Sequence, residues 1–556
     1  MEKLFIGYHM STRWTDPPIM LMSLLPYAAG CIGVSGFSAA QLYREVSKVR
    51  FDASRIVDLL KGDSSKFAWL VAGVVGPYLG TRLWWNTLYH PWGTEGVDTC
   101  KYVTFKDALL HNHYKNRRIP ICELYELYIE DKLDFNSACE GGDCYKILEY
   151  HRDKFVNYKT TWRQVWWLIA QFLPWWMTGA GLGKGSSSGK SIEETTKEID
   201  EHYNKGNDVF SCMLGKPMVY TCGIFHEIPN FASDAHKGNY SASAKDGALE
   251  EAQHNKLQMI CDKLMLQEGE SFLDIGCGWG TLVRHAAKHY GAKATGVTLS
   301  REGKNYCDGA SAETKVPTEI LLCDYRDIPK DQKYDKIASI EMAEHVGIAN
   351  FCDPYLSSVR RLLKRPDSSF LLQVSGLRQG SNWQDVAWGL FMSKYIFPGA
   401  DASTPLNWYV KQCELAGFEV HSVETIGRHY AHTLHKWYDT WMSYKSEILA
   451  GKIDAISHHT TGKHMFRLQE FFLAWSVVAA GQGSATCYQI LCHPNTYEYP
   501  RDQWVDKSQV SGPFMSGTGI SNSDSPAQKD NAKAEAVRPV AKRIAAMDAI
   551  SAKRRF

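Results

Sequence analysis

The stretch at residues 270–300, ESFLDIGCGWGTLVRHAAKHYGAKATGVTLS, constrains this chain more than any other. It opens with an apolar run at 271–275, long enough for a buried strand, with Asp274 near its end. Gly276-Cys277-Gly278-Trp279-Gly280 follows, a turn poor in side chains. A helical pattern over 281–290 stops at Gly291, and 293–298 reads as a second strand. Together they make a βαβ unit of about thirty residues. Its glycines let backbone N–H groups approach a ligand, and the helix N-terminus there favours a carboxylate or phosphate.

The details of the turn narrow the ligand. A dinucleotide fingerprint needs GxGxxG, and position 281 is Thr281. The turn is not followed by Lys-Ser or Lys-Thr, so it is not a nucleotide P-loop. It reads as a nucleoside site without a pyrophosphate, for which S-adenosylmethionine is the commonest ligand; a tight structural turn is the alternative. Around it the strand candidates are 271–275, 293–298, 318–322, 334–340, 368–375, 418–424 and 484–492. Alternating with helices, they predict an α/β fold, a doubly wound, mostly parallel, seven-stranded Rossmann-like sheet.

At 556 residues the chain is long enough for several domains and a large core. Its formal net charge of +1 gives no global pull toward nucleic acid. The 15 cysteines form no metal or disulfide framework, Cys139 and Cys144 included, which fits a reducing compartment. No metal site is expected.

Three long apolar runs precede the sheet. Residues 17–43 carry no formal charge over 27 positions, which predicts a transmembrane helix. Residues 67–85 predict a second, with Arg82 near its end to snorkel. Residues 164–183 contain Trp166, Trp167, Trp175 and Trp176 around Pro174, the pattern of a helix lying in the interface. The expected organisation is a membrane anchor at 1–90, and a connector at 91–190 ending in the flexible GKGSSSGK linker. The catalytic domain follows at 191–500, and a disordered tail at 501–556.

LDIGCGWG, TGVTLS, DYRD (324–327) and EHVG (344–347) occur in that order. With this set the chain resembles the cyclopropane-fatty-acid-synthase family of methyltransferases. EMAEHVG (341–347), the segment 388–406 and QGSATCYQI (482–490) resemble its fungal sphingolipid C9-methyltransferases; the likeness covers roughly 85–492. The resemblance implies a methyltransferase sheet with a helical lid at 376–410 over a lipid pocket. It also implies S-adenosylmethionine as cofactor. Gly276, Cys277 and Gly278 would meet its methionine part, Thr298, Leu299 and Ser300 its ribose and adenine. Asp324 and Tyr325 would hold the adenine, Tyr220 and Thr221 would close over it, and Asp274 would stand at the strand end.

The implied chemistry is attack of a carbon–carbon double bond on the cofactor's methyl, which leaves a carbocation in the lipid. Aromatic faces stabilise such a cation, and a dry pocket keeps water from trapping it. A proton then leaves. Lost from the new methyl, it yields a cyclopropane; lost from the chain carbon, a methyl-branched alkene. In the cyclopropane synthases bicarbonate is the base, and the resemblance maps its surroundings onto Cys222, Glu344, Gln373, Ser375 and Tyr430. Glu344 and Tyr430 match. Gln373 replaces a His, which argues against bicarbonate, and Glu341 replaces a small residue. Three apart on a helical turn, Glu341 and Glu344 would share a face as a carboxylate pair, one of them with a raised pKa. His345 is expected to be structural.

The implied partner is a sphingolipid substrate at a membrane, the endoplasmic reticulum before the Golgi, with the catalytic domain cytosolic. The oligomeric state stays open, a dimer included. The rivals are a cyclopropane synthase acting on phospholipid acyl chains and a non-catalytic lipid-binding scaffold.

Overall fold

The computed structural model describes residues 97–158, 190–203, 206–226, 248–364, 367–379, 383–400, 404–453 and 462–495. The apolar runs at 17–43, 67–85 and 164–183 and the tail from 501 lie outside these residues. Among the described residues no helix is long and apolar enough to cross a membrane.

Seven strands form the central sheet: β1 (Ser271–Ile275), β2 (Lys293–Thr298), β3 (Glu319–Leu322), β4 (Lys336–Ile340), β5 (Ser369–Leu377), β6 (Phe418–Thr425) and β7 (Ala485–Pro494). All seven sequence candidates are present, with ends shifted by no more than two residues. Their order is β6-β7-β5-β4-β1-β2-β3. The sheet is mixed: β7 pairs antiparallel with β5 and β6, while β1, β2, β3, β4 and β5 pair in parallel.

Eleven helices carry labels below: α1 (Ile121–Ile129), α2 (Cys144–Phe155), α3 (Ile192–Tyr203), α4 (Asn207–Leu214), α5 (Ala248–Lys263), α6 (Thr281–Tyr290), α7 (Arg301–Thr314), α8 (Trp383–Phe391), α9 (Leu406–Leu415), α10 (Gly427–Ser443) and α11 (Gly462–Gly481). Strand side chains alternate between faces, so the sheet builds two cores. Leu273, Ile275, Ile337, Leu372 and Ile490 pack on one face with Tyr355 and with Tyr409 of α9. Phe272, Ala338, Leu371 and Leu491 pack on the other with Leu257 and Ile260 of α5 and Val283 of α6. Burial on both faces is why these strands read as near-continuous apolar runs.

A third core is rich in aromatics and joins residues 97–158 to α8, α10 and α11. Tyr125 of α1 lies 4.9 Å from Phe391 and 6.1 Å from Trp475 between ring centroids. The Tyr128 hydroxyl donates to Glu470 at 2.6 Å. Arg467 donates to the Tyr128 and Leu133 carbonyls at 2.7 and 2.8 Å. A buried guanidinium here adds a second donor to the Tyr128 carbonyl, which also accepts from the Asp131 N–H at 3.1 Å, and ties the end of α1 to the strand after it.

The strand order reverses beside β1: the chain runs outward through β2 and β3, then returns to β4 on the opposite side. In open α/β sheets the crevice at such a point receives the ligand. The ends of β1 and β4 therefore frame the site.

Trp475 is fully buried within 6.1 Å of Tyr125, Phe391 and Phe471 between ring centroids. Trp475→Ala is expected to lower stability by about 3–5 kcal/mol. The check is the urea unfolding midpoint; an unchanged midpoint would mean that this cluster does not hold the connector to the core.

Candidate active site

The glycine turn is possible only because Gly276, Gly278 and Gly280 take the left-handed region, with φ of 82°, 54° and 70°. The Gly276 and Cys277 N–H groups both donate to the Val297 carbonyl at 2.9 Å, which ties the turn to β2. A Cβ on Gly276 would overlap the Met342 side chain. A Cβ on Gly278 would meet nothing within 4 Å, so the turn borders open space there.

That space is a cavity lined by all eleven residues that the sequence assigns to the cofactor. They are Tyr220, Thr221, Asp274, Gly276, Cys277, Gly278, Thr298, Leu299, Ser300, Asp324 and Tyr325. Asp274 is buried, and its Oδ1 has no hydrogen-bond partner. Burial pushes its carboxyl up to about 7, against the pull of Lys256. An unmatched carboxylate oxygen beside an open glycine cradle suits a ligand with a cationic amino-acid end.

Two charged residues of this cavity were not picked out from the sequence. Lys256 of α5 is buried and donates to the Thr221 hydroxyl at 2.7 Å. Burial lowers its pKa to about 8, opposed by Glu341, Cys222 and Asp274. Arg326 forks onto Asp324, its Nε 2.6 Å from Oδ1 and its Nη2 2.9 Å from Oδ2. Its guanidinium lies 5.2 Å from the Tyr325 ring centroid. Both left a trace in the sequence: Lys256 interrupts the apolar stripe of α5, and Arg326 sits inside DYRD.

A second cavity opens next to the first. Trp388, Met392, Phe397, Leu434, Trp437 and Phe472 give it apolar walls, and Tyr220, Glu341 and His345 line both cavities. The segment 383–400 supplies part of the wall, as expected of the lid. Of the aromatics in and around this segment, Trp388, Phe397 and Trp437 line this cavity. Phe391 is core, Tyr438 lies in the same core with its hydroxyl 3.3 Å from Asp143, and Tyr395 lines a neighbouring cavity.

At the junction the five candidate catalytic residues come together around one carboxylate. Glu341 Oε1 accepts from Gln373 Nε2 at 2.6 Å, the Cys222 N–H at 3.2 Å and the Cys487 thiol at 3.6 Å. Its Oε2 accepts from the Tyr430 hydroxyl at 2.8 Å and the Ser375 hydroxyl at 3.4 Å. Glu344 accepts from the Ser375 N–H at 2.6 Å. Burial, and then Glu341 itself, hold the Tyr430 hydroxyl and the Cys222 and Cys487 thiols well above their ordinary pKa, so all three remain neutral donors.

One expectation is corrected. Glu341 and Glu344 do not share a helical turn: Glu341 has φ of 52°, and the short 3₁₀ turn Ala343–His345 begins only after it. Its N–H is taken by the Gln373 carbonyl at 2.8 Å, a ladder-like bond that continues β4 against β5. The left-handed backbone turns the Glu341 side chain toward β5, while Glu344 reaches the Ser375 backbone. His345 is buried at the junction, and its carbonyl accepts from Lys190 at 3.4 Å.

The profile of the family described as mycolic acid cyclopropane synthetase matches residues 190–490. Sphingolipid C9-methyltransferase 1 of Gibberella zeae is 39% identical over 398 residues, covering 71% of this chain and 69% of that protein. The sphingolipid C9-methyltransferase of Komagataella phaffii is 37% identical over 429 residues, covering 75% and 79%. The cyclopropane-fatty-acyl-phospholipid synthase of Escherichia coli is 35% identical over 252 residues, covering 45% of this chain and 57% of that protein.

With its pKa at about 7, the Asp274 carboxylate is present above that pH and protonated below it. The affinity for S-adenosylhomocysteine, which carries an ammonium group, is expected to fall about tenfold from pH 8 to pH 6. Asp274→Asn should bind more weakly and lose this dependence. Calorimetric titration at several pH values checks it; a wild-type affinity flat across that range would remove Asp274 from the ligand.

Proposed function

This chain belongs to the mycolic acid cyclopropane synthetase family, and from that premise we propose that it is an S-adenosylmethionine-dependent C-methyltransferase. It methylates C9 of a Δ8-unsaturated sphingoid base in ceramide or glucosylceramide. The observation that carries the mechanism is the Glu341 carboxylate at the junction of the two cavities, ringed by Gln373, Cys222, Tyr430 and Ser375.

The cofactor supplies an electrophilic methyl group on a sulfonium. Asp274 and the Gly276–Gly278 turn would hold its amino-acid end, Thr298, Leu299 and Ser300 its sugar, and Asp324 with Tyr325 its base. Lys256 balances the negative charge of Asp274 and Glu341. The lipid chain lies in the apolar cavity with its Δ8 bond at the junction. Attack through C9 would form the C9–CH3 bond as the methyl–sulfur bond breaks and its electron pair leaves with S-adenosylhomocysteine, and the positive charge would fall on C8. Tyr220 and Trp437, both on the cavity wall, are the aromatic rings that would stabilise that charge. Apolar walls keep water away from it.

Glu341 is the base. Tyr430 and Ser375, which hold Oε2, line the lipid cavity, so Oε2 is the oxygen on that side. It takes the proton from C9, and the electron pair of that C–H bond restores the C8=C9 double bond. Bicarbonate does not fit as the base. The donors that would hold it already converge on Glu341, and a further anion beside Glu341 and Glu344 would meet like charge. The cyclopropane synthase alternative is weaker for the same reason, and the Escherichia coli synthase matches less of the chain. The junction of two cavities at a carboxylate favours an enzyme over a binding scaffold.

We also propose that the protein is anchored in a membrane, on the strength of the uncharged run at 17–43 and the run at 67–85; the proposed ceramide substrate points to the endoplasmic reticulum, with the catalytic domain cytosolic. Release of the full-length chain from membranes at high pH would remove that anchor.

Glu341→Gln is expected to lower turnover by about 10²-fold or more while leaving S-adenosylhomocysteine affinity within about threefold. Wild-type turnover should persist in bicarbonate-depleted buffer. With cofactor carrying a trideuterated methyl, the wild-type product should keep all three deuteriums. Two deuteriums would mean deprotonation of the methyl and a cyclopropane product. Full activity of Glu341→Gln would exclude this residue as the base.

A further inference from the structure

A row of buried polar side chains runs from the base to the far side of the sheet. Glu424 of β6 stands opposite Gln489 of β7, Gln489 opposite Gln373 of β5, and Gln373 opposite Ile340, the residue before Glu341. Lys263, the last residue of α5, bridges the outer end: it pairs with Glu424 and donates to Gln489 Oε1 at 2.5 Å. Gln489 Nε2 donates to Gln373 Oε1 at 2.8 Å, and Gln373 Nε2 donates to Glu341 Oε1 at 2.6 Å. Gln373 is fully buried, Gln489 is 1% exposed and Lys263 8%.

The polarity of this row is dictated by its ends. An ammonium has donors only, and an ionised carboxylate has acceptors only. Between them two amides can be satisfied in one orientation alone: each must turn its oxygen toward Lys263 and its nitrogen toward Glu341. Reversing either amide would set carbonyl against carboxylate or N–H against ammonium, in a setting where an unmatched polar group costs about 1–3 kcal/mol. Lys263 thus decides, through two intervening side chains, that Glu341 meets an N–H at Oε1.

We infer that Lys263, Gln489 and Gln373 are positioning residues for the methyl-transfer reaction. Their one-way row of hydrogen bonds holds the Glu341 carboxylate so that Oε2 faces the lipid carbon that loses the proton. The inference rests on Glu341 as the base. The row sets which proton is taken as well as how fast, because a carboxylate turned away from C9 leaves the new methyl as the competing proton source. It also gives Gln373 a purpose that an imidazole would not meet in the same way, since an amide passes on the polarity it receives from Gln489 in a fixed sense.

The test compares Gln489→Glu with Gln489→Met in the full-length protein, using trideuterated cofactor and a Δ8-unsaturated ceramide. The carboxylate introduced by Gln489→Glu would keep the Lys263 pair but can only accept. It therefore draws the Gln373 amide nitrogen to itself and turns the Gln373 carbonyl toward Glu341. The thioether introduced by Gln489→Met breaks the row without reversing it. Expected is a kcat for Gln489→Glu about tenfold below that of Gln489→Met, with KM for the cofactor within about threefold of wild type in both. A fraction of two-deuterium product should appear in Gln489→Glu alone. Equal turnover in the two variants, with three deuteriums kept in both, would overturn the inference. Should Gln489→Glu fail to fold, Lys263→Arg against Lys263→Met decides: Lys263→Arg is expected to keep the product ratio and Lys263→Met to disturb it, and identical ratios would overturn the inference. The wild-type product reports separately on Glu341 and the reaction itself.

Discussion

A carboxylate half-buried beside an apolar cavity has to be matched by donors, and the architecture around Glu341 follows from that requirement. The residue sits one step beyond β4, in a left-handed backbone conformation that non-glycine residues rarely adopt. Such strain persists only where the surroundings over-determine it. Here they do: the Glu341 N–H is held by β5, and its side chain is held by groups from four separate segments of the chain. The glycine at 276 is coupled to the same place, because its missing side chain makes room for Met342, the neighbour of Glu341.

The two cavities differ in chemistry for reasons that can be traced to the fold. The cofactor cavity lies at the carboxyl ends of β1, β2 and β4, where a parallel sheet exposes backbone N–H groups, strand-end carboxylates and helix starts. The lipid cavity lies over β5 and β7 and is roofed by α8, α10 and α11, whose facing surfaces are aromatic. The described part of the connector belongs to that roof through Tyr125, Tyr128 and their partners on α8 and α11. Only Tyr220, Glu341 and His345 border both spaces among the described residues, so a methyl donor on one side meets a carbon chain on the other at a neck that holds the carboxylate.

Much of this was legible in the chain. The seven strands could be placed because burial on both faces writes continuous apolar runs, and the glycine turn because its conformation excludes other residues. The eleven residues that line the first cavity were picked out from strand ends and motif likeness. Lys256, Lys263 and Gln489 were not found, since their meaning depends on partners distant in sequence: Gln489 lies 226 residues from Lys263 and 116 from Gln373. Arg326 was passed over although its partner Asp324 stands two residues before it in DYRD. The pairing of Glu341 with Glu344 on one helical turn was misjudged because a three-residue spacing carries no information about a left-handed backbone at its first member.

What the sequence determined by itself is local: the period-two and period-3.6 patterns, the βαβ unit with its glycines, and which residue types stand at the strand ends. These are short-range properties, set by backbone sterics and by which side chains prefer to leave water. What only the tertiary structure decided is which of those residues meet. The antiparallel entry of β7 between β5 and β6 brings Gln489 beside Gln373, and the left-handed step after β4 turns Glu341 into the space between Cys222, Gln373 and Tyr430. Hydrogen bonds reach about 3 Å, so their network is fixed by strand register and not by spacing along the chain.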